Sequence, residues 1–133
     1  MKRKLLSSLI AGLGLVAAAG AQAQISGNVV KIGVMNDMSG VYADIGGPGS
    51  TLAAKMAVED YLKTTKSSLK VEVVSADHQN KADIAASIAR KWFDSERVDA
   101  IADVPTSSVA LAVHEVAREK GKLLLNSGAA SSD

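Results

Sequence analysis

Residues 98–126 decide the fold and read VDAIADVPTSSVALAVHEVAREKGKLLLN. The run at 98–104 is typical of a strand, and Pro105 ends it because proline has no N–H for the ladder. A helix is predicted from Ser107 to about Lys120, and Gly121 suits its left-handed end. A fourth strand follows this glycine, so the segment has the strand–helix–strand order of a parallel βαβ unit.

The remainder of the chain repeats this alternation. Strands are predicted at 29–35 and 69–74, and helices from Ser50 to Lys63 and from a cap at Asn80 through Trp92. Strands alternating with helices predict an α/β fold. Right-handed crossovers make it an open parallel sheet with flanking helices on both faces.

Two apolar patterns predict which helix faces are buried. On the first helix, Leu52, Met56 and the turn from Glu59 to Leu62 are expected to follow the apolar face, which Ala53, Ala57 and Val58 widen. The pair Trp92-Phe93 is expected to lie in the core, because large aromatic residues at helical spacing are more often core than binding groove.

The first 23 residues are predicted to be a secretory signal peptide. Three cations at Lys2–Lys4 precede an apolar run of about 16 residues, and Ala21-Gln22-Ala23 offers the small residues that a signal peptidase reads. The alternative is a membrane anchor, but the run is at or below the lower limit for spanning a bilayer. Cleavage before Gln24 leaves an exported chain, and the bacterial periplasm is the expected compartment.

Composition excludes several classes of function. The chain has 133 residues, with 15 Lys and Arg against 14 Asp and Glu, and it has no cysteine. Near-zero net charge argues against nucleic-acid binding, and the missing thiols exclude disulfides and thiolate metal sites. His78 and His114 are not at metal-ligand spacing, and no Gly-x-Ser-x-Gly nucleophile motif is present. We therefore expect no metal, no cofactor and no catalytic residue.

Ligand sites in open α/β sheets lie beyond the carboxyl ends of the strands. After the third strand, Thr106-Ser107-Ser108 can hold an anion with hydroxyls and free amides, or one hydroxyl can simply cap the helix. From the triplet alone the cap is favoured. After the fourth strand, residues 127–132 are small. They could let a ligand approach the backbone, or they could form a loose chain end. The loose end is favoured.

The glycines before the first helix do not form a phosphate loop. Residues 45–50 read IGGPGS, which lacks the lysine of a Walker loop, and about ten residues separate them from the strand. Turn formation is the favoured role. In the same loop, Tyr42 is equally suited to face a pocket or to cover the edge of the sheet.

Five stretches, in this order behind a signal peptide, resemble the first half of a type I periplasmic solute-binding protein. The resemblance is closest to the branched-chain amino acid binding family of ABC importers. The resemblance extends over essentially all of residues 29–133, and the stretches that carry it read KIGVMNDMSG (31–40), GGPG (46–49), VVSAD (73–77), DVPTSS (103–108) and NSGAAS (126–131).

The resemblance implies a binding protein with no enzymatic activity, which delivers an amino acid or related small carboxylate to a membrane permease. Two lobes would close on the ligand. The family pattern implies that Thr106 and Ser107 hold the carboxylate. It implies that Ala129 and Ser131 contact the α-ammonium, with Gly128 and Ala130 as near alternatives, and that Tyr42 and Ile45 line the side-chain pocket.

Family members are far longer than this chain, so residues 24–133 are expected to be a partial N-terminal lobe. One lobe leaves a ligand half in water, which predicts weak or undetectable binding by this part alone. Four strands without a further helix are also expected to leave part of one sheet face uncovered. Two other functions stay open: a sensor domain with the same lobe and, less favoured, an exported α/β enzyme.

Overall fold

The computed structural model describes residues 28–131, and the predicted signal peptide at 1–23 lies outside them. Within this part of the chain, none of the helices is both long and apolar enough to cross a membrane. Four strands alternate with three helices here: β1 (Val29–Asn36), α1 (Gly47–Thr65), β2 (Lys70–Asp77), α2 (Ala82–Asp94), β3 (Ala100–Ala102), α3 (Ser107–Lys120) and β4 (Leu123–Leu125). The predicted α/β alternation is confirmed.

The four strands form one parallel sheet in the order β2-β1-β3-β4. β1 lies between two neighbours, so Ile32 pairs with Val73 of β2 on one side and with Ala100 of β3 on the other. Right-handed crossovers place α1 on one face and α2 and α3 on the opposite face. In agreement with this placement, the buried core cluster among the described residues draws on α2 and α3 and on no residue of α1.

The face beneath α2 and α3 is closely packed. Ile101 and Val113 are fully buried, and Trp92 and Phe93 are buried as the sequence predicts. The Trp92 ring lies over Gly33 of β1, where a Cβ would overlap it. A glycine in the interior of a strand usually weakens it, and here it makes room for the indole.

The predicted apolar face of α1 is wrong for Leu52 and Met56 and correct for Val58 and Leu62. Leu52 and Met56 are 60% and 56% exposed, whereas Val58 and Leu62 are partly buried. Apolar residues occur all around this helix, so their periodicity does not define one face. The inner face is therefore set by how α1 packs on the sheet.

The ends of the helices and strands show which boundaries the local sequence determines. α3 has the predicted bounds, and Gly121 ends it in the left-handed conformation with φ of 60°. The Asn80 cap is wrong: Asn80 has a left-handed φ of 55°, and the capping position is Lys81, which makes no side-chain cap bond. β2 extends to Asp77, past its predicted end at residue 74, because it pairs with β1 along its whole length.

Candidate functional site

The carboxyl ends of the strands open onto a cleft of about 440 Å³. Its walls come from the loop after β1, the start of α1, the start of α3 and the loop after β4. The lining residues are Tyr42, Ile45, Gly46, Pro105, Thr106, Ser107, Ser108 and Gly128. None of these side chains is charged, so the cleft offers hydroxyls, backbone amides and apolar surface.

The start of α3 forms the polar part of the cleft. Thr106 is the N-cap residue, but no side chain makes a capping hydrogen bond to this helix, so the favoured cap interpretation is wrong. In the described part of the chain, the amides of Ser107, Ser108 and Val109 donate to no other group. Unpaired amides at a helix N-terminus carry a partial positive charge, which suits an anion.

The loop after β1 is organised by a buried carboxylate. Asp37 is 1% exposed, and its two oxygens accept hydrogen bonds from the amides of Gly40 (2.8 Å) and Tyr42 (3.1 Å). The amide of Ile45 then donates to the carbonyl of Tyr42 at 3.0 Å. These bonds hold Tyr42 and Ile45 at the cleft, where they provide its apolar wall.

The loop after β4 is anchored, contrary to the favoured expectation of a loose end. The carboxamide oxygen of Asn126 accepts from the amides of Gly128 (3.0 Å) and Ala129 (2.9 Å). The amide of Ala130 donates to the hydroxyl oxygen of Ser107 at 3.1 Å. The loop is thereby fixed against the start of α3.

Carboxylates beside the cleft serve as hydrogen-bond acceptors for the loops. Burial acts to raise the pKa of Asp103, but hydrogen bonds from Ser127, Ser50 and Asn36 outweigh burial and lower that pKa below its ordinary value. Asp77 behaves in the same way: burial acts against ionisation, and hydrogen bonds led by that from Ser39 bring its pKa down.

His78 directly follows β2 and is fully buried. Its Nδ1 accepts a hydrogen bond from the amide of Asn80 at 3.0 Å, and its Nε2 has no partner. Burial lowers the pKa of His78, and the negative charges of Asp37 and Asp77 oppose that effect only in part. Among residues 28–131, no group of three or more acidic or histidine side chains could hold a metal ion.

The geometry agrees with the sequence comparisons. A sequence model described as "Periplasmic binding protein" matches residues 29–133. The chain belongs to the periplasmic binding protein family. Its sheet and helices form the first lobe of the type I fold of this family.

Solved structures of periplasmic binding proteins match the chain over most of its length. A periplasmic binding protein from Burkholderia mallei is 47% identical over 79% of this chain and 28% of its own, with a TM-score of 0.72. A branched-chain amino acid ABC transporter periplasmic ligand-binding protein from Burkholderia xenovorans LB400 is 46% identical over 77% of this chain and 27% of its own, with a TM-score of 0.70.

A third structure is more distant. A solute-binding protein of an ABC transporter from Rhodopseudomonas palustris, in complex with 4-hydroxybenzoate, is 25% identical over 78% of this chain and 28% of its own, with a TM-score of 0.63. No curated protein sequence matches the chain. The chain spans less than a third of the length of these three relatives. All three are described as periplasmic binding, ligand-binding or solute-binding proteins.

The periplasmic binding protein cleft brings together four of the six residues predicted for the site. Tyr42, Ile45, Thr106 and Ser107 all line it. Ala129 and Ser131 instead line a neighbouring cavity of about 200 Å³, which Ser107 also borders. From the loop after β4, the residue on the wall of the main cleft is Gly128, one of the two near alternatives.

The sequence analysis does not predict two features of this cleft. Pro105 contributes an apolar wall in addition to ending the strand. Asp103 gathers hydrogen bonds from residues far apart in the chain, among them Asn36 and Ser127. An acidic residue directly after a strand and before a helix start was the available signal, but the sequence does not show which donors meet it.

Proposed function

We propose that this lobe is the carboxylate-binding half of a substrate-binding component of an ABC importer, working in the periplasm with a membrane permease as partner. The observation that carries the proposal is the uncapped start of α3, whose free amides open into the cleft. Amides and hydroxyls can together bind a carboxylate by donating hydrogen bonds to it, without a cationic side chain. In this proposal, Thr106 and Ser107 donate to the carboxylate.

The ligand class that these walls favour is a small carboxylate with an apolar body. Tyr42, Ile45 and Pro105 supply apolar surface beside the amides. Small-molecule sites commonly combine such surface with a few well-placed polar groups. The B. xenovorans relative is described as a branched-chain amino acid binding protein, and the R. palustris relative holds 4-hydroxybenzoate. Both ligand types carry a carboxylate on an apolar skeleton.

We infer that this lobe recognises the carboxylate and leaves an α-ammonium, where the ligand has one, to other contacts. The cleft lining has no charged side chain, and the residues expected to meet the ammonium, Ala129 and Ser131, line the neighbouring cavity. An ammonium in the cleft would lack an anionic partner among the residues that line it.

The export route belongs to the same proposal. Residues 1–23 would direct secretion and be removed, and residues 24–133 would form part of the N-terminal lobe. Mass spectrometry of the chain recovered from a periplasmic extract tests this step. A mature N-terminus at Gln24 is expected, and a chain that keeps its first 23 residues would contradict it.

The binding proposal is tested by NMR titration of the chain, which detects millimolar affinities. We expect 4-hydroxybenzoate to shift the amide resonances of Ser107, Ser108 and Val109, whereas the neutral 4-hydroxybenzamide leaves them unchanged. A pair of ligands with one skeleton, L-leucine and 4-methylpentanoate, should give similar shifts because only the ammonium differs. S107A should weaken binding about tenfold, the loss expected for one charge-assisted hydrogen bond.

A serine exposed on α2 provides the matched control, since S87A removes a hydroxyl far from the cleft. Equal shifts with the carboxylate and the carboxamide would refute the anion site. A much stronger response to leucine than to 4-methylpentanoate would refute the inference about the ammonium. Micromolar binding by this chain would contradict the expectation that a second lobe is needed to bury the ligand.

A further inference from the structure

Asp103 occupies an unusual place at the end of β3. Its backbone adopts the left-handed conformation, with φ of 59°, which is uncommon for a residue other than glycine and tolerated by aspartate. Its amide donates to the carbonyl of Leu125 at 3.0 Å, which extends the contact between β3 and β4 by one bond. The chain turns here toward Pro105 and the start of α3.

The side chain of Asp103 joins three separate elements. Oδ2 accepts from the carboxamide nitrogen of Asn36 at the end of β1 (2.9 Å), and that nitrogen also donates to the Asp103 carbonyl (3.2 Å). Oδ1 accepts from the hydroxyl of Ser127 in the loop after β4. The hydroxyl of Ser50, in the first turn of α1, lies close enough to this carboxylate to help lower its pKa.

In the described part of the chain, the Asn36 carboxamide nitrogen and the Ser127 hydroxyl both donate to this carboxylate. An ionised aspartate accepts through both oxygens and donates nothing. An asparagine here could still accept from Asn36 through its oxygen, but its NH2 group would then face Ser127, whose hydroxyl would have to accept instead of donate. The charge that strengthens both bonds would be lost. A carboxylate therefore makes charge-assisted bonds to both donors, which an asparagine does not.

The bond to Ser127 leads directly to the site. Beyond Ser127, Gly128 lies against Pro105, since a Cβ at Gly128 would sit 3.4 Å from the Cβ of Pro105. Two residues further on, the Ala130 amide donates to the Ser107 hydroxyl oxygen. Because Ser107 Oγ accepts this bond, its own hydrogen is left to donate elsewhere, and the cleft is where a ligand would meet it.

We propose that Asp103 is a positioning residue for the carboxylate site: through Ser127 it holds the loop after β4, and through that loop it orients the hydroxyl of Ser107. The proposal rests on the proposed function for its last link, the donation from Ser107 to a ligand. The earlier links concern the protein alone. They can therefore be tested separately from ligand binding.

The first experiment measures amide hydrogen exchange by NMR on the full chain and on D103N, S127A and the double variant. The amides of Gly128, Ala129 and Ala130 are expected to exchange about tenfold faster in either single variant, as loss of one charge-assisted hydrogen bond implies. The double variant should be no faster than D103N, because both changes break the same link. Amides of β1 and β2 should keep their rates.

The control is D94N, which removes an exposed carboxylate at the end of α2, where it pairs with Lys120 of α3. It should leave the 128–130 amides unchanged. Unchanged loop exchange in D103N, or single-variant effects that add in the double variant, would overturn the proposal. Should D103N not fold, S127A decides alone, since Ser127 is exposed and its truncation leaves no cavity.

The second experiment separates positioning from mere stability, with 4-hydroxybenzoate as the probe. D103N and S127A should each reduce the ligand-induced shift at the Ser107 amide, while D94N retains it. Faster loop exchange with an unaltered ligand response would overturn the positioning role. If the wild-type chain shows no response to 4-hydroxybenzoate, the proposed function fails, and the exchange data still decide whether Asp103 holds the loop.

Discussion

The two faces of the sheet are covered very differently. Under α2 and α3, Trp92 is 5% exposed and Ile101 is fully buried. On the α1 face, Leu123 and Leu125 of β4 are 55% and 54% exposed. They belong to that face because Leu124, between them in a strand of alternating side chains, packs against the α2–α3 core.

The difference arises from how far each layer of helices reaches. α2 and α3 pack against each other, while α1 packs mainly on β1 and β2 and leaves Leu123 and Leu125 of β4 exposed on its side. The expected uncovered part of one face is thus confirmed. Apolar burial is the main stabilising contribution in folding, so the stability of the described chain should come mostly from the α2–α3 face.

The largest expected effect tests this concentration of stability directly. Trp92→Ala should lower the free energy of unfolding by about 3–5 kcal/mol, the usual range for truncating a buried aromatic residue. The matched control is Tyr61→Ala on α1, because Tyr61 is 53% exposed, and its cost should be about 0.5 kcal/mol. Urea titration monitored by circular dichroism measures both. Similar costs for the two variants would show that the faces do not differ in stability as they do in burial.

Two glycines should respond with opposite signs. Gly33→Ala would place a methyl group in the Trp92 ring and should destabilise the chain by about 1–3 kcal/mol. At Gly49, in α1, an added Cβ meets no atom within 4 Å. Gly49→Ala should therefore stabilise by about 0.4–1 kcal/mol, by restricting the unfolded chain. Chemical denaturation of both variants checks the signs, and a stabilising Gly33→Ala would mean that the indole moves at little cost.

The same contrast explains what the sequence could predict about the fold. Pro105 and Gly121 bracket α3 with backbone chemistry that needs no tertiary context, and its bounds were predicted. The face of α1 could not be predicted, because apolar residues surround that helix and its inner side is chosen by packing. Asn80 has a suitable cap chemistry, but the turn before α2 holds it in a left-handed conformation.

The candidate site divides in a similar way. Thr106 and Ser107 follow a strand end directly, and the parallel sheet brings them to the cleft together with Tyr42 and Ile45. In the irregular loop after β4 no periodicity fixes the direction of each residue, so the sequence does not distinguish Gly128 from Ala129. Asp103 acts through donors that are up to 67 residues away in the chain, and only the tertiary structure brings them together.

Acid sensitivity should also depend on one buried group, His78. Because burial lowers its pKa, the unfolded chain binds more protons than the folded chain once the pH falls below the ordinary value of 6.5. Stability contributed by neutral His78 is therefore complete above that pH and lost as the pH falls toward the lowered pKa. The slope is at most about 1.4 kcal/mol per pH unit for one proton.

The measurement is the free energy of unfolding between about pH 5 and 7.5, where histidine titrates. The pKa values of Asp77 and Asp103 are lowered and lie below this range. H78N keeps an acceptor near the Nδ1 position for the Asn80 amide and removes the titration, so its profile should be flatter than that of wild type. The matched control is H114N, the same substitution at a histidine that is exposed on α3. A wild-type slope retained in H78N would assign the acid sensitivity to other groups.

The smallest expected effects concern ion pairs, one on each face. Lys120 and Asp94 bridge α3 and α2 at 2.6 Å, and Lys63 and Glu59 pair within α1 at 3.5 Å. Exposed pairs contribute little because water screens them and ordering long side chains costs entropy. Double-mutant cycles to alanine should give coupling energies of about 0.5 and 0.3 kcal/mol, and both should fall as salt is added.

The near-equality of these two coupling energies is the informative result. If the two faces differ by several kcal/mol in their response to truncation of aromatic residues and hardly at all in their ion pairs, apolar burial alone accounts for the contrast. A coupling of about 2 kcal/mol for Lys120 and Asp94, well above the range for exposed pairs, would instead make electrostatics part of what binds α2 to α3.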